Sequence, residues 1–138
     1  MASISKLLSL SSQLESISDT PQLDCELLLC HVIDKDRTWL RTWPDNTVSP
    51  THQTLFKSLL DQRIKGTPIA YITGSREFWS MDLNVSSDTL IPRPETEILV
   101  EIVLKLGLPS QACGLDFGTG SGAIALAIAA ARLDLQRL

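Results

Sequence analysis

Apolar residues recur at helical spacing through the first half of the chain. Over residues 4–17 they lie at positions 4, 7, 8, 14 and 17, and residues 23–33 are richer still in them. This spacing predicts two packed helices, and Pro21 between them suits a first helical turn. A third, short helix is predicted over residues 36–43, where the next proline interrupts the pattern.

The fourth helix has the clearest signals at both ends. Ser49, directly before Pro50, is a good helix start, and Gly66 is a natural stop. Between these residues one apolar stripe is formed by Leu55, Phe56, Leu59, Leu60 and Ile64. Residues 1–66 are therefore predicted to form a small helical bundle.

The spacing of apolar residues changes after this bundle. Every second position carries a large apolar side chain at Trp79, Met81, Leu83 and Val85. This alternation is typical of a half-buried strand. Taken with the apolar residues 69–72 before Gly74, it predicts a β-hairpin linker over residues 67–90.

The remaining residues, 91–138, follow the order helix, strand, glycine turn, helix. The first helix is predicted over about residues 94–106 and ends at Gly107, a short strand follows over residues 114–117, and an alanine-rich helix starts near Ser121. This order opens a Rossmann-like domain, but a doubly wound sheet needs several parallel strands. The predicted fold class is therefore α/β, with a helical bundle, a hairpin linker and an incomplete Rossmann-like domain.

Composition and charge indicate which classes of protein the chain can belong to. The 138 residues are 43% hydrophobic and 20% charged, as in ordinary soluble globular domains. Lys and Arg total 12 against 16 for Asp and Glu, so no basic excess is available to neutralise a phosphate backbone. Direct binding of nucleic acid is not expected.

Cysteine use and the short apolar runs favour a cytoplasmic protein. The three cysteines form no C-x-x-C pair and the first residues do not resemble a secretory leader, so no disulfide framework is expected. The longest nearly apolar run, residues 123–131, is shorter than the about 20 residues that span a bilayer. His31 and His52 have no metal-ligand partner at suitable spacing. We expect neither membrane insertion nor a bound metal.

The main chemical signal is the loop between the predicted strand and the alanine-rich helix. It is Asp116-Phe117-Gly118-Thr119-Gly120-Ser121-Gly122. Glycine at every second position lets the backbone approach a ligand and adopt positive φ angles. The loop fits S-adenosylmethionine, but Gly118-x-Gly120-x-x-Ala123 also satisfies the fingerprint of nicotinamide and flavin dinucleotide sites.

Two features favour the methyl donor over a dinucleotide. Asp116 lies two residues before the first glycine, where a carboxylate can meet the ammonium group of the donor. A helix is also predicted before the strand, whereas dinucleotide domains often begin with that strand. A glycine turn without a ligand remains the alternative.

Five sequence blocks carry a resemblance to a known family. They are LDCELLL at 23–29, TPIAYITG at 67–74, REFW at 76–79, TLIPRPETE at 89–97 and LDFGTGSGAIAL at 115–126. In order and spacing they resemble the HemK/PrmC family of release-factor glutamine methyltransferases, over essentially residues 1–132.

This resemblance implies a helical substrate-recognition domain, a hairpin linker and a class I methyltransferase domain. Members of the family transfer a methyl group from S-adenosylmethionine to the glutamine side-chain amide in the Gly-Gly-Gln motif of class I peptide chain release factors. The implied donor site is lined by Gly118, Thr119, Gly120, Ser121 and Gly122, with Asp116 supporting it. Arg93, Pro94 and Thr96 are implied to lie close to its mouth.

The residues that would orient the substrate amide are not found in this sequence. A glutamine amide is a poor nucleophile, so an enzyme must orient its nitrogen and assist proton loss. The resemblance implies an Asn-Pro-Pro-Tyr motif for this task, and none is present. No catalytic residue is therefore assigned, and we expect a truncated or fragmentary chain that is inactive alone.

Two functions of other classes remain open. The helical domain can bind a release factor without modifying it, as a non-catalytic module. A nicotinamide-dependent oxidoreductase is the second alternative, because the glycine loop also satisfies the dinucleotide fingerprint.

Overall fold

The computed structural model describes residues 1–132. The chain forms two compact units, Met1–Thr73 and a second that begins at Gly74. Each unit has its own apolar core. Among the described residues, no helix is long and apolar enough to cross a membrane.

Helices make up the first unit. Their bounds are Ile4–Leu8 (α1, continued by a 3-10 helix at Ser9–Leu14), Pro21–Ile33 (α2), Arg37–Thr42 (α3), Pro50–Ile64 (α4) and Ile69–Thr73 (α5). The four helices predicted within residues 1–66 are confirmed, with the first of them divided between α1 and the 3-10 helix.

Side-chain caps fix where two of these helices begin. The Ser49 hydroxyl accepts a hydrogen bond from the His52 N–H at 3.2 Å, and Pro50 occupies the first turn of α4. The Asp36 carboxylate accepts from the Trp39 N–H at 2.6 Å at the start of α3. Each cap satisfies an N–H that has no partner within its helix, and its loss costs about 1 kcal/mol.

The core of the first unit is built around α2, which packs against every other helix of the unit. Its Leu28 and Leu29 are fully buried together with Leu14, Leu40 and Phe56 from the surrounding elements. Full burial of one such side chain stabilises the fold by about 1.5–3 kcal/mol. The apolar stripes predicted from the sequence therefore meet in one core.

Two carboxylates of α2 are also buried, and each is paired with arginine. Asp24 accepts from Arg63 of α4 at 2.8 Å. Glu26 accepts from Arg37 at 2.7 Å and from Arg41 at 3.4 Å, both on α3. Because a buried carboxylate is costly unless paired, these ion pairs fix α3 and α4 against α2.

Residues 69–72, expected in the hairpin linker, lie instead in α5. The carbonyl of Pro68 accepts from the N–H groups of Tyr71 and Ile72, which closes a helical turn. Ile69 and Ile72 pack against the first core and Ala70 is buried. The expectation was wrong for this segment because packing on one side of a short helix outweighs its β-like composition.

The second unit opens with a β-hairpin, as predicted for this region, but its strands differ from those predicted. Strand β1, Ser75–Phe78, pairs antiparallel with β2, Met81–Asn84. Phe78 lies opposite Met81, so Trp79 and Ser80 form a two-residue turn. The alternating segment predicted as one strand therefore consists of the turn and β2. Phe78, Leu83 and Val85 are buried.

Two helices complete the described part of the second unit. A short 3-10 helix, Pro94–Thr96, leads into α6, Glu97–Lys105, and α7 covers Ala123–Ala131. Buried residues of the hairpin, α6 and α7 form one cluster: Phe78, Leu83, Val100, Ala123, Ala127 and Ile128. Both predicted helices are confirmed.

The strand predicted over residues 114–117 is not formed. Residues 114–116 lie outside any helix or strand, and Phe117 begins a turn. In the described part of the chain, the sheet has two strands, β1 and β2, which pair with each other. A strand is stabilised by hydrogen bonds to a neighbour, so a β-like sequence alone is not sufficient. The predicted start of a Rossmann-like sheet is thus absent from the described residues.

Candidate functional site

The candidate site is the loop from Asp116 to Gly122, which ends directly before Ala123, the first residue of α7. The Asp116 carboxylate accepts a hydrogen bond from the Thr119 hydroxyl at 3.1 Å. The Gly122 N–H donates to the Thr119 carbonyl at 2.8 Å, and the Gly122 carbonyl accepts from Leu126 at 2.9 Å. The loop is therefore a closed turn joined directly to the helix.

The three glycines of the loop have left-handed backbone conformations. Their φ angles are +73° at Gly118, +56° at Gly120 and +79° at Gly122, a region that residues with a Cβ rarely adopt. A Cβ at Gly118 would meet no atom within 4 Å, and at Gly120 only the Gly118 carbonyl, at 4.0 Å. One face of the loop is thus open, and a ligand there can reach the backbone.

The predicted donor-site residues are neighbours in the sequence, so they are necessarily close together. The structure adds their backbone conformations and the exposure of their side chains. Gly118, Thr119 and Gly120 are exposed, and Asp116, Ser121 and Gly122 are half-buried. The N-terminus of a helix carries a partial positive charge, and alternating left-handed residues form concave surfaces that favour anions. With the Asp116 carboxylate nearby, the loop offers charges of both signs, as a zwitterionic amino-acid group requires.

An apolar cavity of about 400 Å³ adjoins the loop. It lies among α6, α7 and residues 112–117, and its lining includes Leu99, Val103, Asp116, Phe117 and Ile124. Phe117 is 93% exposed and Leu115 81%. Large apolar side chains at such exposure mark a surface that favours an apolar partner.

The other residues implied by the family resemblance lie at the start of α6. Arg93 and Pro94 are exposed, and Thr96 is half-buried at the end of the 3-10 helix. Their position at the mouth of a donor site stays a prediction.

Glu97 is a further residue of interest, and its role is not evident from the sequence. Its carboxylate accepts a hydrogen bond from the backbone N–H of Trp79 at 2.8 Å. The sequence shows a carboxylate suited to the start of a helix, but no local pattern links it to a residue 18 positions earlier. The sequence indicates only a hairpin that is followed by a helix beginning with acidic residues.

The cysteines are free thiols without a metal partner in the described residues. Burial raises the pKa of Cys25 to about 12, and the neighbouring Glu26 and Asp24 charges add to this. Burial also raises the pKa of Cys30 to about 11. Both thiols therefore stay protonated near neutral pH, and both lie in or against the core of the first unit.

The first unit matches a known protein family. Residues 7–74 match the family model described as the PrmC N-terminal domain. This segment is a PrmC N-terminal domain. The match covers nearly all of the first unit, so the resemblance to the HemK/PrmC family is confirmed.

Curated relatives extend the similarity beyond the PrmC N-terminal domain. The release factor glutamine methyltransferase of Aliivibrio fischeri is 57% identical over 112 residues, which are 81% of this chain and 39% of the relative. Those of Vibrio cholerae and Coxiella burnetii are 51% and 49% identical, over 83% and 89% of this chain and 40% and 45% of the relatives. The chain thus spans about two fifths of the length of these relatives.

Proposed function

We propose that this chain is the N-terminal part of an enzyme that methylates the glutamine side-chain amide in the Gly-Gly-Gln motif of class I release factors, with S-adenosylmethionine as donor. The identity of 57% to a protein named release factor glutamine methyltransferase carries this proposal. The PrmC N-terminal domain and the open glycine loop support it. We place the enzyme in the cytoplasm, where release factors act.

The glycine loop is the proposed donor site. Asp116, whose carboxylate accepts the Thr119 hydroxyl, would hold the donor ammonium group. The N-terminus of α7 would hold the donor carboxylate. Close approach of the backbone is allowed by Gly118 and Gly120, whose outer sides are open. The remaining lining is supplied by Thr119, Ser121 and Gly122.

The bound donor supplies an electrophilic methyl group on its sulfonium. The protein must then hold the glutamine amide nitrogen in line with that methyl and accept its proton. The Asn-Pro-Pro-Tyr motif proposed for this task is absent from these 138 residues. The first unit is proposed to recognise the release factor, and the chain alone is expected to transfer no methyl group.

A chimeric enzyme tests the donor site. In it, residues of this chain replace the matching N-terminal residues of the Aliivibrio fischeri relative, and binding of S-adenosylhomocysteine and of NADH is measured by equilibrium dialysis. We expect S-adenosylhomocysteine to bind and Gly120→Val to weaken it, because the new side chain is strained at φ +56° and faces the ligand. Binding of NADH without S-adenosylhomocysteine contradicts the proposal and favours an oxidoreductase.

The second candidate is a non-catalytic module that binds release factors. It is favoured by the first unit, a compact helical body with its own core that the family model matches by itself. Capture of a release factor by residues 1–73, together with a chimera that neither binds the donor nor methylates, supports this candidate. Failure of residues 1–73 to bind a release factor contradicts it.

A further inference from the structure

The turn of the β-hairpin has an unusual backbone conformation. Trp79 and Ser80 have φ angles of +51° and +58°, as a two-residue hairpin turn requires. Such turns normally contain Asn, Asp or Gly, because other residues are strained there. A bulky tryptophan keeps this conformation only when surrounding contacts hold it.

Glu97 supplies one such contact. Its carboxylate oxygen Oε1 accepts the N–H of Trp79 at 2.8 Å, and Glu97 is the first residue of α6. The carboxylate therefore accepts the turn N–H and belongs to a residue at a helix N-terminus, and both features favour its negative charge. Hydrogen bonds to a charged acceptor are stronger than those between neutral groups.

The second contact is made by side chains and leads to α7. Trp79 packs against the core cluster in which Phe78, Val100 and Ala123 are buried. Val100 lies one helical turn after Glu97, and Ala123 is the first residue of α7, directly after Gly122. The turn is thus connected through packed side chains to the end of the glycine loop.

We propose that Glu97 is a positioning residue for the glycine loop: by holding the Trp79–Ser80 turn, it fixes the core cluster on which the start of α7 rests. The relevance of this role to methyl transfer rests on the proposed function, in which the loop holds the donor. The mechanical link itself is a property of this chain without any donor.

The link is tested on the 138-residue chain by NMR, with amide exchange rates and backbone chemical shifts as readouts. Glu97→Ala removes the acceptor, and Glu97→Gln keeps an oxygen that can accept the same hydrogen bond. Glu101→Ala is the matched control, because it removes an exposed carboxylate of the same helix, which pairs with Lys105 at 3.5 Å. All variants are first checked for folding by circular dichroism.

We expect Glu97→Ala to speed exchange of the Trp79 N–H by about tenfold or more, as loss of a charge-assisted hydrogen bond implies. It should also shift the Gly122 and Ala123 amide resonances. Glu97→Gln should give smaller changes in both, because it keeps a neutral acceptor, and Glu101→Ala should change neither. Unchanged Gly122 and Ala123 resonances in a folded Glu97→Ala variant overturn the proposal.

A second-site variant keeps the test decisive if Glu97→Ala alone unfolds. Ser80→Gly removes strain from the turn, because glycine adopts a positive φ readily. The double variant Glu97→Ala, Ser80→Gly should fold and return the Gly122 and Ala123 resonances toward the parent positions. A folded double variant in which the turn is restored but those resonances stay displaced overturns the proposed link. Since no donor is added, failure of donor binding in the chimera is a separate result.

Discussion

Arg63 of α4 and Asp24 of α2 form an ion pair in which Nε and Oδ2 are 2.8 Å apart, with side chains only 15% and 10% exposed. The same guanidinium donates to the carbonyl oxygens of Thr67 at 3.4 Å and Ile17 at 3.5 Å. One side chain therefore joins α2, the segment before it and the segment after α4. This arrangement holds the PrmC N-terminal domain together at one end of α4.

Replacing Arg63 tests its contribution to the stability of the first unit. Arg63→Leu leaves the Asp24 carboxylate buried without its partner, so the free energy of unfolding should fall by about 3 kcal/mol. Urea denaturation followed by circular dichroism measures the change. Lys57→Ala, an exposed position on the same helix, should change it little. Equal effects of the two substitutions would show that the ion pair does not stabilise the unit.

The stability of the first unit should depend on pH through Glu26. Burial raises the pKa of its carboxyl group, but hydrogen bonds from Arg37 and Gln22 and the charges of Arg37 and Arg41 outweigh burial, so the pKa lies below 4.5. A lowered carboxyl pKa stabilises the folded state fully above the unfolded pKa, and this contribution is lost as pH falls through the folded pKa.

Unfolding of the parent and of Glu26→Gln at neutral and acidic pH measures this contribution. As pH falls from above 4.5 toward the folded pKa of Glu26, the free energy of unfolding should fall more for the parent than for the variant. The difference between the two free energies should therefore become smaller. A difference in the free energy of unfolding that does not change with pH over this interval contradicts the lowered pKa of Glu26.

Much of the helical unit is predictable because its signals are local. The caps at Ser49 and Asp36 and the stripe in α4 act within a few residues of sequence. Helix α5 is not predictable in this way, because its apolar residues pack on a core formed by distant segments. The hairpin turn at Trp79 and Ser80 lacks the Asn or Gly that usually marks such turns, and its acceptor Glu97 lies 18 residues away.

Thiol labelling should distinguish the three cysteines. Cys113 is exposed, whereas the pKa values of Cys25 and Cys30 are raised to about 12 and about 11, and protonated thiols are poor nucleophiles. The folded chain at neutral pH should therefore gain one label rapidly, at Cys113, and all three in denaturant. Labelling of Cys25 in the folded chain at the rate of Cys113 would contradict the buried position of this thiol.

Alanine substitutions at the glycines of the loop should destabilise the chain. Gly118→Ala meets open space and should cost about 1 kcal/mol from backbone strain alone. Gly122→Ala should cost a similar amount, because its methyl is strained at φ +79° and makes only an ordinary van der Waals contact with Leu126 Cδ1, at 3.4 Å. Thermal unfolding compares the two, with Ser121→Ala as a control that should change little. Losses no larger than that of Ser121→Ala would contradict the left-handed conformations of the two glycines.

Part of the candidate site is predictable from local sequence, and part depends on distant segments of the chain. The glycine spacing alone predicts the positive φ angles at Gly118, Gly120 and Gly122, because glycine is the residue that adopts them without strain. The strand expected before the loop depends on neighbours that residues 114–117 cannot supply from their own sequence. The cavity beside the loop likewise depends on how α6 and α7 pack, which periodicity does not specify.

The most direct test of the proposed methyltransferase role is mass analysis of a class I release factor after incubation with the chimera and S-adenosylmethionine. The proposal predicts one added methyl group on the glutamine of the Gly-Gly-Gln motif, and its loss with Gly120→Val in the chimera. The unaltered Aliivibrio fischeri relative serves as the positive control. A folded chimera that leaves this glutamine unmodified while the relative methylates it would contradict the proposal that these residues supply a working donor site.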